Sequence, residues 1–349
     1  MGLASLPTPA LLGAFAVAGL VVLLTGMRIT RLVDRLADRT GIGEAVAGAV
    51  LLGAATSLSG TIVSMTVAAD GLASLAYANS IGGIAAQTAF LAIADLTYRK
   101  ANLEHAAADL ANIFQSVVLI VLLTLPLLAM TAPEATVAAV HPVSLVIPAV
   151  YVAALLTTQT LRETPMWRPV DTADTRADTP EAESATARRR STARLSLDLL
   201  VLMLAMAVAG WIIAKVAGTL TGRLALSGSL VGALATAVVT SLPELVTTIA
   251  AVRRGALQLA VGGIIGGNTF DTLFLTLADI FYREGSIYHA VGPEDRFWSL
   301  TAILMTGVLL GGLILRQRIG PARIGTESLA LLLIYAGAIA LQVTIGVGG

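Results

Sequence analysis

The chain has no cysteine and few charged, histidine or aromatic residues. Of its 349 residues only 13% are charged, three are histidine and 5% are aromatic. The lack of cysteine excludes disulfides, thiolate nucleophiles, iron–sulfur clusters and cysteine-bound zinc, and three histidines leave little for a histidine metal centre. A soluble domain carries about 25% charged residues, about twice the share found here. We therefore expect the chain to be in contact with an apolar solvent, the lipid bilayer.

Long apolar segments account for most of the chain, which is 56% apolar with a mean hydropathy of +0.85. A helix that crosses a bilayer needs about 20 apolar residues. Ten such segments lie at 10–27, 45–69, 72–94, 110–133, 138–161, 196–214, 224–252, 256–278, 297–315 and 328–347. We therefore expect an all-α integral membrane protein with ten transmembrane helices.

The basic residues predict the orientation of these helices. If the ten segments span in turn, 18 of the 22 basic residues fall on one side, which predicts that side to be cytoplasmic. Both termini are then extracytoplasmic in a multi-pass protein of the cell membrane. The polar stretch 162–195 becomes a flexible cytoplasmic linker. The net charge of zero argues against nucleic-acid binding.

An internal repeat relates the two parts of the chain. A shift of 184 residues aligns 48–106 with 232–290 without a gap, and polar residues match as well as apolar ones. Each half holds five predicted spans, an odd number, so the second copy enters the membrane from the opposite face. The predicted halves are 1–161, with its repeat at about 45–95, and 196–349, with its repeat at about 226–279. Two inverted five-helix repeats are typical of secondary transporters.

The segment Thr240-Ser241-Leu242-Pro243-Glu244 interrupts the apolar pattern of the seventh predicted span. Pro243 has no N–H, so we expect it to free the carbonyl of Val239. Glu244 lies nine residues before Arg253, about 13 Å along a helix. A carboxylate at this depth costs at least about 2.5 kcal/mol and usually faces a partner, a cavity or an ion path. The alternative is a protonated Glu244 that only bonds a neighbouring helix.

The eighth predicted span adds a second polar segment, 262–271, which contains Asn268 and Asp271. Together with residues 240–244 it supplies hydroxyl, amide, carboxylate and backbone oxygens, without nitrogen or sulfur ligands. Hard cations such as Ca²⁺ and Na⁺ prefer that ligand set. The two segments therefore predict a cation site.

These two segments, Ser241-Leu242-Pro243-Glu244 and Gly266-Gly267-Asn268-Thr269-Phe270-Asp271, resemble a repeat of the sodium/calcium exchanger family of cation antiporters. The resemblance implies a set of ion ligands, namely Thr240, Ser241, Glu244 and Asp271 with the backbone carbonyl of Ala237. Asn268 matches an asparagine of the family motif. Gly267 stands where the family motif has a serine before that asparagine, so one hydroxyl is missing.

The first repeat departs from the family pattern. Ser59-Gly60 replaces Pro-Glu, Gly83 and Ile84 stand where Ser and Asn would be, and Gln87 matches Asp271. The first repeat stays rich in uncharged oxygens, and three of its residues join the predicted site: Thr56, Ser57 and Gln87. The site then carries a charge of −2 at most. Because a low-dielectric site disfavours two adjacent anions, we expect cation binding to compete with protonation of Glu244.

We therefore expect a secondary-active antiporter that moves Ca²⁺ or a related cation against Na⁺ or H⁺. It needs no cofactor, and its partners are inorganic cations and the lipid bilayer. A monovalent cation/H⁺ exchanger and a non-transporting scaffold or ion sensor with the exchanger fold are the alternatives. The sequence contains nothing that resembles a pore loop, so a channel is not favoured. It also contains no Ser/His/Asp grouping that would favour an enzyme.

Two matched aspartates lie at the ends of predicted spans. Asp95 precedes Tyr98-Arg99, and Asp279 precedes Tyr282-Arg283. Their position beside aromatic and basic residues predicts interfacial anchoring.

Overall fold

The computed structural model of the chain describes residues 5–40, 53–98, 100–107, 109–175, 191–320 and 324–346. Within these ranges the regular secondary structure is helical, apart from one isolated bridge between Val137 and Val140. The expectation of an all-α protein is confirmed.

The first half begins with a long helix and continues with a helical turn at 53–56 that leads into a second helix. Its described helices are α1 Thr8–Thr40, α2 Leu58–Ala69, α3 Ala73–Asp95, α4 Leu103–Ala106, α5 Leu110–Thr131 and α6 Val143–Glu163.

The second half follows the same plan, with a π-helical segment at Val231–Thr236. Its described helices are α7 Thr192–Leu224, α8 Gly228–Leu230, α9 Ala237–Thr240, α10 Leu242–Arg254, α11 Leu257–Asp271, α12 Leu273–Phe281, α13 Ile287–Ala290, α14 Pro293–Leu315 and α15 Thr326–Gly346.

The internal repeat extends beyond the residues whose sequence matches. Helices α1 and α7 each have 33 residues, and their first residues, Thr8 and Thr192, are 184 positions apart. The short helices α4 and α13 obey the same shift. Backbone structure therefore repeats where side chains have diverged, and the fold is a pair of inverted repeats.

Helix α3 lies at the centre of the molecule. All of its residues except Ser74 and Ile93 are buried, and it contacts the π-helical segment, α10, α11, α14 and α15. A Cβ on Gly82 would overlap the Cα of Ala233 in the π-helical segment. Because no side chain separates the two backbones there, the halves pack closely around the middle of α3.

The outer helices present apolar side chains to their surroundings. Helices α1 and α7 bury 33% of their most apolar segment, and α6 and α15 bury 28%. Leu145, Leu200 and Leu333 are each more than 60% exposed. So much exposed leucine fits contact with lipid rather than water.

The number of spans is lower when only long apolar helices are counted. Seven helices in the described ranges are long and apolar enough to cross a membrane, or eight if the bent pair Gly228–Thr240 and Leu242–Arg254 is one span. Helix α2 has only 12 residues, and residues 45–52 of the second predicted span lie outside the described residues. Helix α3 is not among the seven. The count of ten stays a prediction.

Part of the predicted linker, 162–195, contacts the rest of the protein. Helix α6 ends at Glu163 and α7 begins at Thr192, while residues 176–190 lie outside the described ranges. Arg316 Nη1 donates to the Val170 carbonyl at 2.6 Å, and Arg318 Nε donates to Asp174 Oδ2 at 2.6 Å. The first part of the linker therefore docks on the α14–α15 connection, a correction to the expectation of a flexible linker throughout.

The close approach at Gly82 gives a test of the packing. We expect Gly82→Ala to lower the free energy of unfolding by about 1–3 kcal/mol, because a methyl group there meets backbone that cannot turn away. Gly263→Ala is the matched control, since a Cβ on Gly263 meets nothing within 4 Å. Thermal unfolding of the purified variants in detergent measures the difference, and equal stability of the two variants would contradict the packing.

Candidate cation site

Each repeat contains a helix that breaks at the same matched serine. The backbone leaves the helical range at Ser57 (φ −82°, ψ 4°) and at Ser241 (φ −95°, ψ 3°). The second break bends the helix pair by 45°. Pro243 lies in the first turn of α10, where a missing N–H costs no helical bond. Since the chain also breaks at Ser57, which has Ser59 where the second repeat has Pro243, a proline is not required for a break of this kind.

The residues of the two repeats meet at Asp271. Asp271 is 2% exposed, and Gln87 Nε2 donates to its Oδ2 at 2.6 Å and to Ser241 Oγ at 3.3 Å. Ser80 Oγ donates to the Asp271 carbonyl at 2.8 Å. The sequence pairs Gln87 with Asp271 as matched positions, and the structure places the two side chains in direct contact across the repeat.

Several buried oxygens near this contact have no hydrogen-bond partner. They are Glu244 Oε2, Asp271 Oδ1, Asn268 Oδ1 and Gln87 Oε1. A buried acceptor without a partner is costly. Two carboxylate and two amide oxygens of this kind match the ligands of a hard cation.

The predicted hydroxyl and carbonyl ligands stand at the helix breaks. Thr240 Oγ1 donates to the Thr236 carbonyl at 2.9 Å and to the Ala237 carbonyl at 3.2 Å. The Ala237 carbonyl also accepts from Ser241 N at 3.1 Å. The hydroxyl proton of Thr240 is therefore used within its own helix, and the Ala237 carbonyl already accepts two bonds.

The first repeat contributes hydroxyl groups opposite the carboxylates. The Thr56 side chain faces Glu244, and the Ser57 side chain faces Asp271. Both predicted first-repeat hydroxyls therefore lie beside the second-repeat carboxylates.

Two glycines lie beside these contacts. A Cβ on Gly83 would lie 3.6 Å from Ser241 Oγ, and a Cβ on Gly267 would lie 3.4 Å from Gln87 Oε1. Asn268 Nδ2 donates to Thr88 Oγ1 at 3.0 Å, which leaves its Oδ1 as the free atom. The replacement of the family serine by Gly267 thus leaves space that faces the Gln87 amide.

An aromatic side chain fills the position of the carboxylate that the first repeat lacks. A Cβ on Gly60 would lie only 2.8 Å from Cε2 of Phe274, and Phe274 is 4% exposed. The Phe274 ring stands edge-on to Phe270 at a centroid distance of 6.3 Å, and Phe270 stands edge-on to Tyr151 at 6.0 Å. Sequence reasoning missed Phe274. Its match with Phe90 in the repeat was a signal, but the contact with Gly60 joins positions far apart in the chain.

A group of uncharged oxygens lies on the first-repeat side, near Gly60. Asn79 Nδ2 donates to the Gly60 carbonyl at 3.1 Å and to Ser64 Oγ at 2.9 Å. Asn79 Oδ1 and Ser59 Oγ are buried without a hydrogen-bond partner. The carboxylates are all on the second-repeat side, so the site is one-sided in charge.

The two matched aspartates are not interfacial anchors. Asp95 is 1% exposed and Asp279 is 0% exposed. Both bind backbone N–H groups in the interior, at Leu103 and at Ile287 respectively. The prediction of interfacial anchoring is wrong because the short helices α4 and α13 fold back over the aspartates.

Sequence comparison relates the chain to membrane exchangers. The sequence model of the family described as "Sodium/calcium exchanger protein" matches residues 10–160 and 196–344. The inner membrane protein YrbG of Escherichia coli (strain K12) is 31% identical over 123 residues, which span 35% of this chain and 37% of that protein. The aligned part is thus a little over a third of that relative.

Structure comparison gives the same relationship at the level of the fold. The H⁺/Ca²⁺ exchanger CAX is similar with a TM-score of 0.66 at 15% identity, over 97% of this chain and 87% of that chain. The sodium-calcium exchanger NCX_Mj, soaked with Na⁺ and Sr²⁺, gives a TM-score of 0.60 at 18% identity, over 96% of this chain and 99% of that chain. At these identities the likeness shows the fold alone.

The contact between Gly60 and Phe274 predicts the result of restoring the missing carboxylate. We expect Gly60→Glu alone to leave Ca²⁺ binding no tighter and to reduce thermal stability, because its Cβ meets the Phe274 ring. The double variant Gly60→Glu/Phe274→Ala removes that obstacle, and its added carboxylate is expected to tighten Ca²⁺ binding about tenfold or more.

Calorimetric titration of purified protein with Ca²⁺ measures both affinities, with Phe274→Ala as the control for the lost ring. Tighter binding by Gly60→Glu alone would show that Phe274 does not block the position.

Proposed function

We propose, from the premise that the chain belongs to the sodium/calcium exchanger family, that it is a secondary-active antiporter for Ca²⁺ or a related cation against Na⁺ or H⁺. The observation that carries the proposal is the pair Glu244 and Asp271, whose unpartnered oxygens lie where the broken helices of two inverted repeats meet. Intramembrane carboxylates at such a place are typical of ion sites in transporters.

The cation is held by oxygens of both repeats in this proposal. Glu244 Oε2 and Asp271 Oδ1 supply the charge, and Asn268 Oδ1 and Gln87 Oε1 supply neutral oxygens. The hydroxyl oxygens of the helix breaks complete the set: Ser241, Thr240, Thr56 and Ser57. The Ala237 carbonyl is the weakest member, since it accepts two hydrogen bonds already.

The long helices α1 and α7 cover the two breaks at matched positions, which supports alternating access. A Cβ on Gly26 of α1 would lie 2.5 Å from Pro243, and a Cβ on Gly210 of α7 would lie 2.8 Å from the Ser59 carbonyl. In each contact a glycine of the long helix meets the residue two positions after the serine break. The two glycines are 184 positions apart in the sequence, and so are the two residues that they meet. We propose that α1 and α7, which pack along each other, move past the breaks and expose the site to alternate faces.

A monovalent cation/H⁺ exchanger is the second candidate, and the one-sided site favours it. Gly60 and Gln87 add no carboxylate, so both carboxylates of the site come from the second repeat. A charge of −2 attracts a divalent cation less strongly than the charge of −3 that Gly60→Glu would give. Transport assays with both classes of cation separate the two candidates.

The orientation of the protein remains part of the proposal. The distribution of basic residues supports a cytoplasmic linker at 162–195 between a first half at 1–161 and a second half at 196–349. The contacts of Arg316 with Val170 and of Arg318 with Asp174 support a common face for the linker and the α14–α15 connection.

Loss of the Glu244 charge should abolish transport. In proteoliposomes with an imposed Na⁺ or H⁺ gradient, we expect ⁴⁵Ca²⁺ uptake by the wild type and none by Glu244→Gln. Removing one partner of a buried charge contact costs about 3 kcal/mol, which corresponds to cation binding about 100-fold weaker.

Glu163→Gln is the matched control, because Glu163 is an exposed carboxylate at the end of α6 that accepts a bond from Gln159. Uptake that survives Glu244→Gln would refute the site. A wild type without flux of Ca²⁺ or any monovalent cation would favour a scaffold or sensor instead.

Protons should compete with the cation for the same carboxylate oxygens. Ligand carboxylates must be deprotonated to bind a metal ion, so binding releases protons and weakens as the pH falls. We expect the apparent Ca²⁺ affinity to fall between pH 8 and pH 5, and the dependence to be shallower in Glu244→Gln. Calorimetry in buffers of different ionisation enthalpy counts the released protons. An affinity that does not change across this range would contradict the competition.

A further inference from the structure

Asp279 ties the second half of the chain to the first. Its Oδ1 accepts from Ile287 N of α13 at 2.9 Å, and its Oδ2 accepts from His141 N and Ser144 Oγ at 2.7 Å each. His141 lies just before α6 and Ser144 lies in its first turn, both in the other half. One carboxylate thus fixes a short helix of its own half and the last long helix of the other half.

Asp95 makes the same connection on the opposite face of the molecule. Its Oδ1 accepts from Leu103 N of α4 at 2.7 Å, and its Oδ2 accepts from Gly325 N before α15 at 3.0 Å. Leu103 matches Ile287 and Gly325 matches His141 under the shift of 184. The two aspartate connections are therefore related by the inverted repeat.

The two connections differ in charge at two matched positions. Tyr288 and Val143 stand beside Asp279, whereas Glu104 and Glu327 stand at the corresponding places beside Asp95. Glu104 is 0% exposed and Glu327 is 6% exposed. The Asp95 connection therefore buries three carboxyl groups, whereas the matched positions of the Asp279 connection bury one.

Two oxygens of these carboxyl groups are buried without a partner. Ser328 Oγ donates to Glu104 Oε1 at 3.2 Å, but Glu104 Oε2 and Glu327 Oε1 have no hydrogen-bond partner. Both lie within 3.3 Å of the position that a Cβ on Gly325 would occupy. On the other face Ser144 Oγ bonds the neutral Tyr288 hydroxyl at 2.8 Å. The free oxygens are thus specific to the Glu104 face and converge on one place.

The basic groups described near this place are directed elsewhere. Arg316 donates to the carbonyls of Val170 and His105, and the His105 ring bonds the Arg316 carbonyl and Thr172 Oγ1. The carboxyl groups that face Glu104 are Asp95 from α3 and Glu327 from α15. Burial, and after it the nearby charges of Asp95 and Glu327, raise the pKa of Glu104 well above its usual range.

We propose that Glu104 and Glu327 form a proton-binding site, in which one proton shared by Glu104 Oε2 and Glu327 Oε1 holds α15 on the first half. The ligand is a proton rather than a metal ion, since both Asp95 oxygens are used by backbone N–H groups. Two free oxygens are too few for Ca²⁺, which takes six to eight. The proton exchanges with water on the face that carries the linker.

Release of the proton loosens the connection. With Glu104 and Glu327 both ionised, three carboxylates stand together in a buried place and repel one another. A carboxyl group whose pKa is raised by folding stabilises the fold at low pH, and this stability is lost as the pH rises through that raised pKa. The attachment of α15 to the first half is therefore strongest in acid and weakens in alkali.

Thermal unfolding of the full-length protein in detergent, from pH 5 to pH 9, tests the proposal without any transport assay. We expect the Tm of the wild type to fall with rising pH by about 3 °C or more beyond any fall in Glu104→Gln. The double variant Glu104→Tyr/Glu327→Val, which installs the residues of the opposite face, is expected to lose the same pH dependence. Glu163→Gln, an exposed carboxylate, is the control and should behave as the wild type.

Equal pH dependence in the wild type and Glu104→Gln overturns the proposal. So does Ca²⁺ or Mg²⁺ that raises the Tm of the wild type at pH 9 but not that of Glu104→Gln, because the site would then bind a metal ion. If the Glu104 variants fail to fold, Glu327→Gln gives the same comparison. Infrared spectra of the wild type should show a protonated carboxyl band that Glu327→Gln changes, and its absence across the pH range also refutes the shared proton.

Discussion

Two carboxyl groups in an apolar interior are the constraint on which the structure depends. Glu244 and Asp271 lie in predicted spans that are otherwise largely apolar, and a bilayer offers them no water. The fold answers with broken helices whose polar atoms face inward, and with Gln87, which reaches from the other repeat to Asp271 at 2.6 Å. The free oxygens that remain are the ones that a bound cation would satisfy.

The inverted repeat builds this site from two copies that are no longer equal. The backbone breaks at Ser57 and Ser241 are alike, and so are the glycine contacts of α1 and α7 with the residues that follow them. The side chains have diverged in a consistent direction, because the first copy lacks both a glutamate and an aspartate of the second. At the ends of α3 and α12 the charge difference has the opposite sense. The additional carboxyl groups, Glu104 and Glu327, lie beside Asp95 of the first copy and not beside Asp279 of the second. The repeat thus keeps the backbone and redistributes the charge.

Much of the fold and site could be predicted from local patterns. Apolar length predicted helices, the gapless match predicted the repeat, and a Pro-Glu pair within an apolar span drew attention to Glu244 and then to Asp271. The failures concern contacts between distant segments. Nothing local shows that Phe274 fills the space beside Gly60, or that α4 and α13 cover the matched aspartates. The count of ten spans stays a prediction, because residues 45–52, which precede the short helix α2, lie outside the described residues.

The central claim is that Glu244 and Asp271 hold the transported cation between the repeats. A crystal structure of the protein soaked with Sr²⁺, a heavier analogue of Ca²⁺, tests it most directly by anomalous scattering. The account predicts one anomalous peak at ligand distance, about 2.3–2.6 Å, from the free oxygens of both carboxylates, and no such peak in Glu244→Gln. A protein that binds Sr²⁺ in solution but shows its peak away from these two residues would contradict the account.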